Sequence, residues 1–480
     1  MRSGKIGFIF LLFISASLSA QDQAGYRIKL TLKPYTHSQV YLAYYYGKVK
    51  AIADSANLDE NSTTTFSGKD NLPGGIYFVV SPRKEILFEL LIDKEQHFSM
   101  TADTNNIEQN LKFEGSPLNS AFFTYTRTMA KYGQSIGNIQ KEYLTAHNRS
   151  DSLKIREKIL AMNQEIQNYR NDVITKNPDS FLSALLSAMK EPVVPPASQQ
   201  PGGKYDTMYA YRYYKTHYWD GVSFMDDRLV RTPFFDNKLD KYFKETVSPV
   251  PDSIIREVDW MLLYSRTAKE MYRYLMVHFV QKYINPEYMG QDAVFLHIFE
   301  KFINTGEADF FTEKYRKIIN DRAYSLMANQ IGQSAANLDM VDSSGKPVPL
   351  LGIEAKFILV CFWDPTCSHC KEEVPELDSI YEAKWKNEGV KIYGVMVDGG
   401  QDNWRKFIRD HNLKDWINVY QPKDKADADE AANRPGYKQL YDVYQTPTLF
   451  LLDKNKRIIA KKLNYQQFDH IIDLKLKKEK

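Results

Sequence analysis

FILVCFWDPTCSHCKEEVP, residues 357–375, decides how the C-terminal part of this chain must fold. Its first six residues are an apolar run of strand length. The residues from Lys371 to Tyr381 read as a helix. Between the two stand Cys367 and Cys370 in the spacing Cys-x-x-Cys. That context puts Cys367 at a strand-to-helix turn, with its sulfur at a helix N-terminus. Unpaired amide N–H groups and the positive end of the helix dipole favour a thiolate there. Cys370 lies one turn further in, close enough to attack a mixed disulfide on Cys367. Such a pair suits exchange of disulfides with other proteins. The other use of this spacing, half of a zinc site, needs two further ligands. The one remaining cysteine is Cys361, and no pair of histidines follows. Neither a metal nor an organic cofactor is implied.

A second stretch, YQTPTLFLLD at 444–453, reads as a loop running into a strand. VKIYGVMV at 390–397 reads as another strand, and 401–411 as a helix with Trp404, Phe407 and Ile408 on one face. Residues 434–443 read as a helix, 457–460 as a strand after a turn, and 468–476 as a closing helix. Strands alternating with helices imply a mixed sheet covered on both faces.

Together these motifs resemble the thioredoxin fold, and more narrowly its TlpA-like periplasmic branch. The likeness spans 335–480 and rests on Trp363, Cys367, Cys370, Glu373, Pro375, Thr446 and Pro447. Cys367, Cys370, Glu373 and Pro375 follow the branch pattern Cys-x-x-Cys-x-x-Glu-x-Pro. The resemblance implies that Pro447 is a cis-proline facing the cysteines, and that Thr446 and Pro447 hold a substrate strand. It implies that Trp363 packs under the site; with Cys361 in place of the usual buried aspartate, proton transfer at Cys370 is expected from Glu373 instead. Ser368 and His369, between the cysteines, are expected to tune the redox couple. One position departs from the thioredoxin pattern. Where a buried aspartate is usual, two residues before Trp363, this chain has Cys361, expected to be an apolar filler.

Peroxiredoxins share the fold but use Pro-x-x-x-Thr-x-x-Cys. Here Val360 and Asp364 occupy the proline and threonine positions, which disfavours a thiol peroxidase. A second alternative is a non-enzymatic envelope binding protein with a regulatory redox pair.

The N-terminus suggests a compartment. Arg2 and Lys5 precede a short apolar core, and small residues run from Ser15 to Ala20. Residues 1–20 read as a cleaved secretory signal, with cleavage after Ser19 or Ala20, and no cysteine for lipidation lies nearby. The mature protein is expected to be soluble and periplasmic. Expected partners are protein thiols and disulfides of the envelope, together with a membrane electron donor or acceptor. Sixty-three basic and 60 acidic residues nearly balance, and no basic cluster points to nucleic acid.

The rest of the chain divides by pattern. Residues 21–115 show short alternating strands at near-regular spacing, as in a β-sandwich. They are similar to an uncharacterised β-domain that precedes TlpA-like domains. Residues 116–334 read as helical, with a capping box at 267–270. His278 and His297 read as packing residues. The expected architecture is therefore multidomain: an all-β sandwich, an all-α middle domain and an α/β thioredoxin fold.

Overall fold

A computed structural model of the chain describes residues 25–144 and 149–478. The signal-peptide reading of 1–20 lies outside these. Contacts divide the chain into two compact units, 1–238 and 239–480.

The first unit opens with strands β1 Tyr26–Lys33, β2 Gln39–Tyr46, β3 Val49–Asn57, β4 Thr63–Gly68, β5 Gly75–Val80, β6 Ile86–Ile92 and β7 His97–Asp103. A short helix, α1 Ile107–Asn110, leads to β8 Lys112–Glu114. They form two sheets, ordered β4-β1-β7-β8 and β3-β2-β5-β6. Period-two alternation sends Ile28, Leu30 and Leu32 of β1 into one core with Val40, Leu42, Tyr77, Val79, Leu90 and Met100. This is the expected sandwich. The strands β3 and β4 carry weaker patterns because both lie at sheet edges. Ile52 on β3 is 62% exposed, so its hydrophobicity marks no core. The other edge, β6, is covered: Asn119 accepts from Leu91 N at 2.7 Å and donates to Leu91 O at 2.9 Å.

Helices α2 Pro117–Leu144, α3 Arg149–Lys176, α4 Phe181–Ala188 and α5 Thr207–His217 follow, and α6 Phe235–Glu245 carries the boundary between units. The segment read as one helical domain over 116–334 is thus shared by both units. In the second unit it supplies α7 Pro251–Ser265, α8 Lys269–Ile284, α9 Asp292–Ile298 and α10 Glu313–Met327. The expected capping box at 267–270 is not formed. Helix α8 starts after Ala268, whose side chain cannot accept from a backbone N–H. Burial of Met271, Leu275, Met276, Phe279 and Val280 holds this helix instead. His297 donates or accepts across 2.8 Å to Asp259, a surface-side polar contact. Among the described residues no helix is long and apolar enough to cross a membrane.

The remaining elements are β9 Phe357–Trp363, α11 Ser368–Ile380, β10 Val390–Met396, α12 Gln401–Asp410, β11 Ile417–Tyr420, α13 Lys423–Ala431, α14 Tyr437–Leu440, β12 Thr448–Asp453, β13 Ile458–Lys461 and α15 Tyr465–Lys478. Their sheet runs β11-β10-β9-β12-β13, parallel from β11 to β9 and antiparallel beyond. This is the thioredoxin arrangement, and all seven residues of β9 are buried. Leu359, Cys361 and Trp363 face a core with Val374, Trp404, Phe407 and Phe468. Ile358, Val360 and Phe362 face a second core with Leu338, Met340, Tyr441 and Phe450. The helix expected over 434–443 shrinks to α14: it starts after an extended Gly436, and beyond its end Asp442 takes a left-handed φ of 52° that a helix does not continue.

Helix α9 and the segment just after α10 are joined to this fold by buried polar contacts. Lys461 Nζ donates to Asp292 Oδ2 at 2.5 Å, to Asn329 O at 2.8 Å and to Asn329 Oδ1 at 2.9 Å. Both charged side chains are nearly inaccessible. Burial holds the Lys461 ammonium below its ordinary range, against the pull of Asp292. We therefore expect Asp292→Ala to cost about 3–5 kcal/mol by leaving a buried charge unpaired. The lowered Lys461 value fixes the sign with pH. The lone amine can shed its proton as pH rises, so the cost should shrink in alkali. Urea unfolding at neutral and alkaline pH measures both.

Candidate active site

Strand β9 delivers the site. Its last residue, Trp363, is fully buried, with its ring 5.1 Å from that of Phe407. The chain then turns through Asp364, whose Oδ1 accepts from Thr366 N and Thr366 Oγ1, each at 2.7 Å. Asp364 O accepts from Cys367 N at 3.2 Å. This side-chain-made turn sets Cys367 as the N-cap of α11, with φ −69° and ψ 132°. Gly399 lets a neighbouring loop approach. A Cβ there would lie 2.4 Å from Asp364 Oδ1, and its φ is 89°. Neither Asp364 nor Gly399 stood out in the sequence, since one reads as a loop acid and the other as a turn.

The loop before β12 closes the site from the other side. The Thr446–Pro447 peptide is cis. Thr448 Oγ1 donates to Gln445 O at 2.6 Å, and Thr448 and Leu449 pair with Phe362 and Cys361 of β9. The loop is thereby aligned with the end of β9, and Cys367 Sγ lies 3.4 Å from Thr446 O. The structure thus brings Cys367, Cys370, Thr446 and Pro447 into one place, over Trp363.

The two sulfurs of the pair differ. All three cysteines are unbridged. Cys367 is half-buried and Cys370 fully buried. Its contact with Thr446, then the Cys370 backbone N–H, outweighs burial and lowers the Cys367 thiol. The Cys370 thiol and the His369 N–H add to this. Burial pushes the Cys370 thiol up to about 12, although Asp364 N–H donates to its sulfur at 3.4 Å. Cys361 is raised well above an ordinary thiol by burial, then by the Cys370 and Glu373 charges. Its side chain lies in the core, on the buried side of the pair.

Glu373 lies beside that core. It is half-buried and, with Cys361, Val374, Leu377, Pro447, Leu449 and Tyr465, lines a crevice of about 10 Å³. That is close to the least space a single water occupies. Ser368 and His369 are exposed on the first turn of α11. What His369 brings to Cys367 is its backbone N–H.

An oxidisable pair on a half-open helix terminus can form, hold and release a mixed disulfide. Comparison with known proteins gives the same chemistry. Residues 331–461 match the AhpC/TSA family, 26–122 and 142–326 two domains of unknown function (DUF4369 and DUF5106). The thiol–disulfide oxidoreductase ResA of Bacillus cereus is 28% identical over 137 residues, covering 28% of this chain and 72% of that protein. ResA of Bacillus subtilis is 25% identical, covering 27% and 64%. A solved domain of a possible thiol–disulfide isomerase from Cytophaga hutchinsonii is 34% identical, covering 31% of this chain and 94% of that one, with a TM-score of 0.27. A thioredoxin-like protein from Bacteroides caccae is 21% identical, covering 59% and 98%, with a TM-score of 0.46. By its motifs, its fold and these relatives, the C-terminal part of the chain fits a TlpA-like thioredoxin-fold thiol–disulfide oxidoreductase.

Proposed function

We propose that this protein is exported and exchanges disulfides with proteins of a Gram-negative envelope, Cys367 attacking and Cys370 resolving. The inequality of the two sulfurs carries this reading: one accessible and thiolate-prone, the other buried and protonated. Export is supported by the charge and apolar pattern of residues 1–20.

In the reductive direction the Cys367 thiolate attacks one sulfur of a partner disulfide. The partner's S–S bond breaks, its other sulfur takes a proton, and a mixed disulfide forms at Cys367. Thr446 and Pro447 hold the partner strand through backbone contacts. Cys370 then gives up its proton, attacks Cys367 Sγ and expels the partner's second thiolate. The partner has gained two electrons, and a Cys367–Cys370 disulfide remains. A membrane electron donor would restore the dithiol, and an acceptor would drive the reverse sequence. Glu373 is the proton acceptor assigned to the second step, across the crevice it shares with Cys361.

Cys367→Ser should abolish exchange. Cys370→Ser should accumulate mixed disulfides with envelope proteins, seen as gel-shifted adducts that a reductant dissolves. Adducts with Cys367→Ser and none with Cys370→Ser would reverse the assignment.

The pKa directions set a pH profile. A lowered thiol is ionised at lower pH, so Cys367 should be alkylated at pH values below its ordinary midpoint of 9.0. Cys370, pushed by burial up to about 12, should stay unreactive through that range, and Cys361 should label last. Peptide mapping of alkylated protein measures the order. Glu373→Gln should slow release from the mixed disulfide by roughly 10²-fold, the lower bound for a general base. Stopped-flow separation of the two steps would show whether the second is the one affected.

A further inference from the structure

The loop that faces Cys367 is held from outside the thioredoxin fold. Residues 443–447 run from Asp442 to the first paired residue of β12, Thr448. The Asp442 side chain is wholly buried. Arg322 of α10 contacts its Oδ1, and Ser325 of α10 donates to the same atom at 3.3 Å. Lys462 contacts Oδ2. Helix α10 and Asn329, just past its end, also grip the residues just before. Ser325 Oγ donates to Gln439 O at 2.9 Å, and Asn329 Nδ2 donates to Leu440 O at 3.0 Å.

Arg322 is itself fixed. Its Nε donates to Ile284 O at 3.1 Å, and its side chain is 14% exposed. Its guanidinium lies 5.8 Å from the ring centre of Tyr444, which is exposed on the loop. On the far side of Pro447, Lys462 N donates to Leu449 O at 2.7 Å. Asp442 and Lys462 therefore tie the two ends of the loop together, and Arg322 ties that knot to α10. A few residues of chain between two fixed points leave Thr446 little freedom.

We propose that Arg322 is a positioning residue for thiol–disulfide exchange: through Asp442 it fixes the loop that sets Thr446 against Cys367. The inference rests on the reading of Cys367 as the attacking sulfur. It gives the helical segment before the thioredoxin fold a part in the reaction. Arg322 falls within residues 142–326, which match a domain of unknown function. The charged groups around the knot are Arg322, Lys461 and Lys462 against Asp442 and Asp292, and all five are held by side-chain contacts.

The test is the pH profile of Cys367 alkylation in the reduced full chain. Arg322→Met should slow alkylation at pH 7 by about threefold or more, because less of the thiol is ionised. Its profile should move toward that of an ordinary thiol. Asp442→Asn should produce the same change, and the double variant no further change, since both act through one contact. A folded Arg322→Met with the parent profile, or effects that add to those of Asp442→Asn, would overturn the inference. If Arg322→Met fails to fold because Asp442 is left unpaired, Arg322→Met with Asp442→Asn removes that charge. The parent profile in this pair would overturn the inference equally. Peptide mapping of the parent tests the underlying reading separately. First labelling at Cys370 would remove the assignment of Cys367. A Cys367-first parent with a profile insensitive to Arg322 overturns the positioning role alone.

Discussion

A strand buried on both faces constrains everything around it. The residues of β9 have sheet neighbours on either side and a core above and below. Its chemistry can therefore reach solvent at its C-terminal end, where ligands of open α/β sheets ordinarily sit. The Asp364 turn, the approach of Gly399 and the first turn of α11 all lie at that end. The site is shaped by the need to leave a dry strand within a few residues.

The same constraint separates the sulfurs. Cys367 lies just beyond the strand, at a helix start, where backbone donors converge and water is near. Cys370 is one turn deeper and meets the core. Identical side chains three positions apart acquire opposite tendencies from depth and hydrogen bonding alone. The Cys361 thiol, on the strand itself, shows the limit of the trend. It is shut in completely, and packing dominates its surroundings.

Much of this was legible in the sequence because it rests on local pattern. The alternation in β1, the apolar run of β9 and the spacing of Cys367 and Cys370 each fix an element without distant information. The order of strands, helices and thioredoxin fold followed from them. Features that depend on distant partners were hidden. The strands β3 and β4 are polar because they lie at edges. Ala268 stands at the start of α8 because tertiary burial, not a cap, holds that helix. Asp442 looked like one more helical residue, and its left-handed turn exists because Arg322, Ser325 and Lys462 surround it. Arg322 itself carried no signal, since 120 positions separate it from Asp442.

The buried triad of Lys461, Asp292 and Asn329 bears on how such proteins can change over time. A lysine enclosed in this way is tolerable where its carboxylate and carbonyl are already present. Swapping the helical segment between distant relatives would transplant half of the arrangement. The recipient would inherit either a stranded ammonium or a stranded carboxylate. The two stretches of chain should therefore drift in step: substitutions at 292 and 461 would be accepted together or not at all. Their shared history would be written in paired replacements rather than in the invariance of either residue.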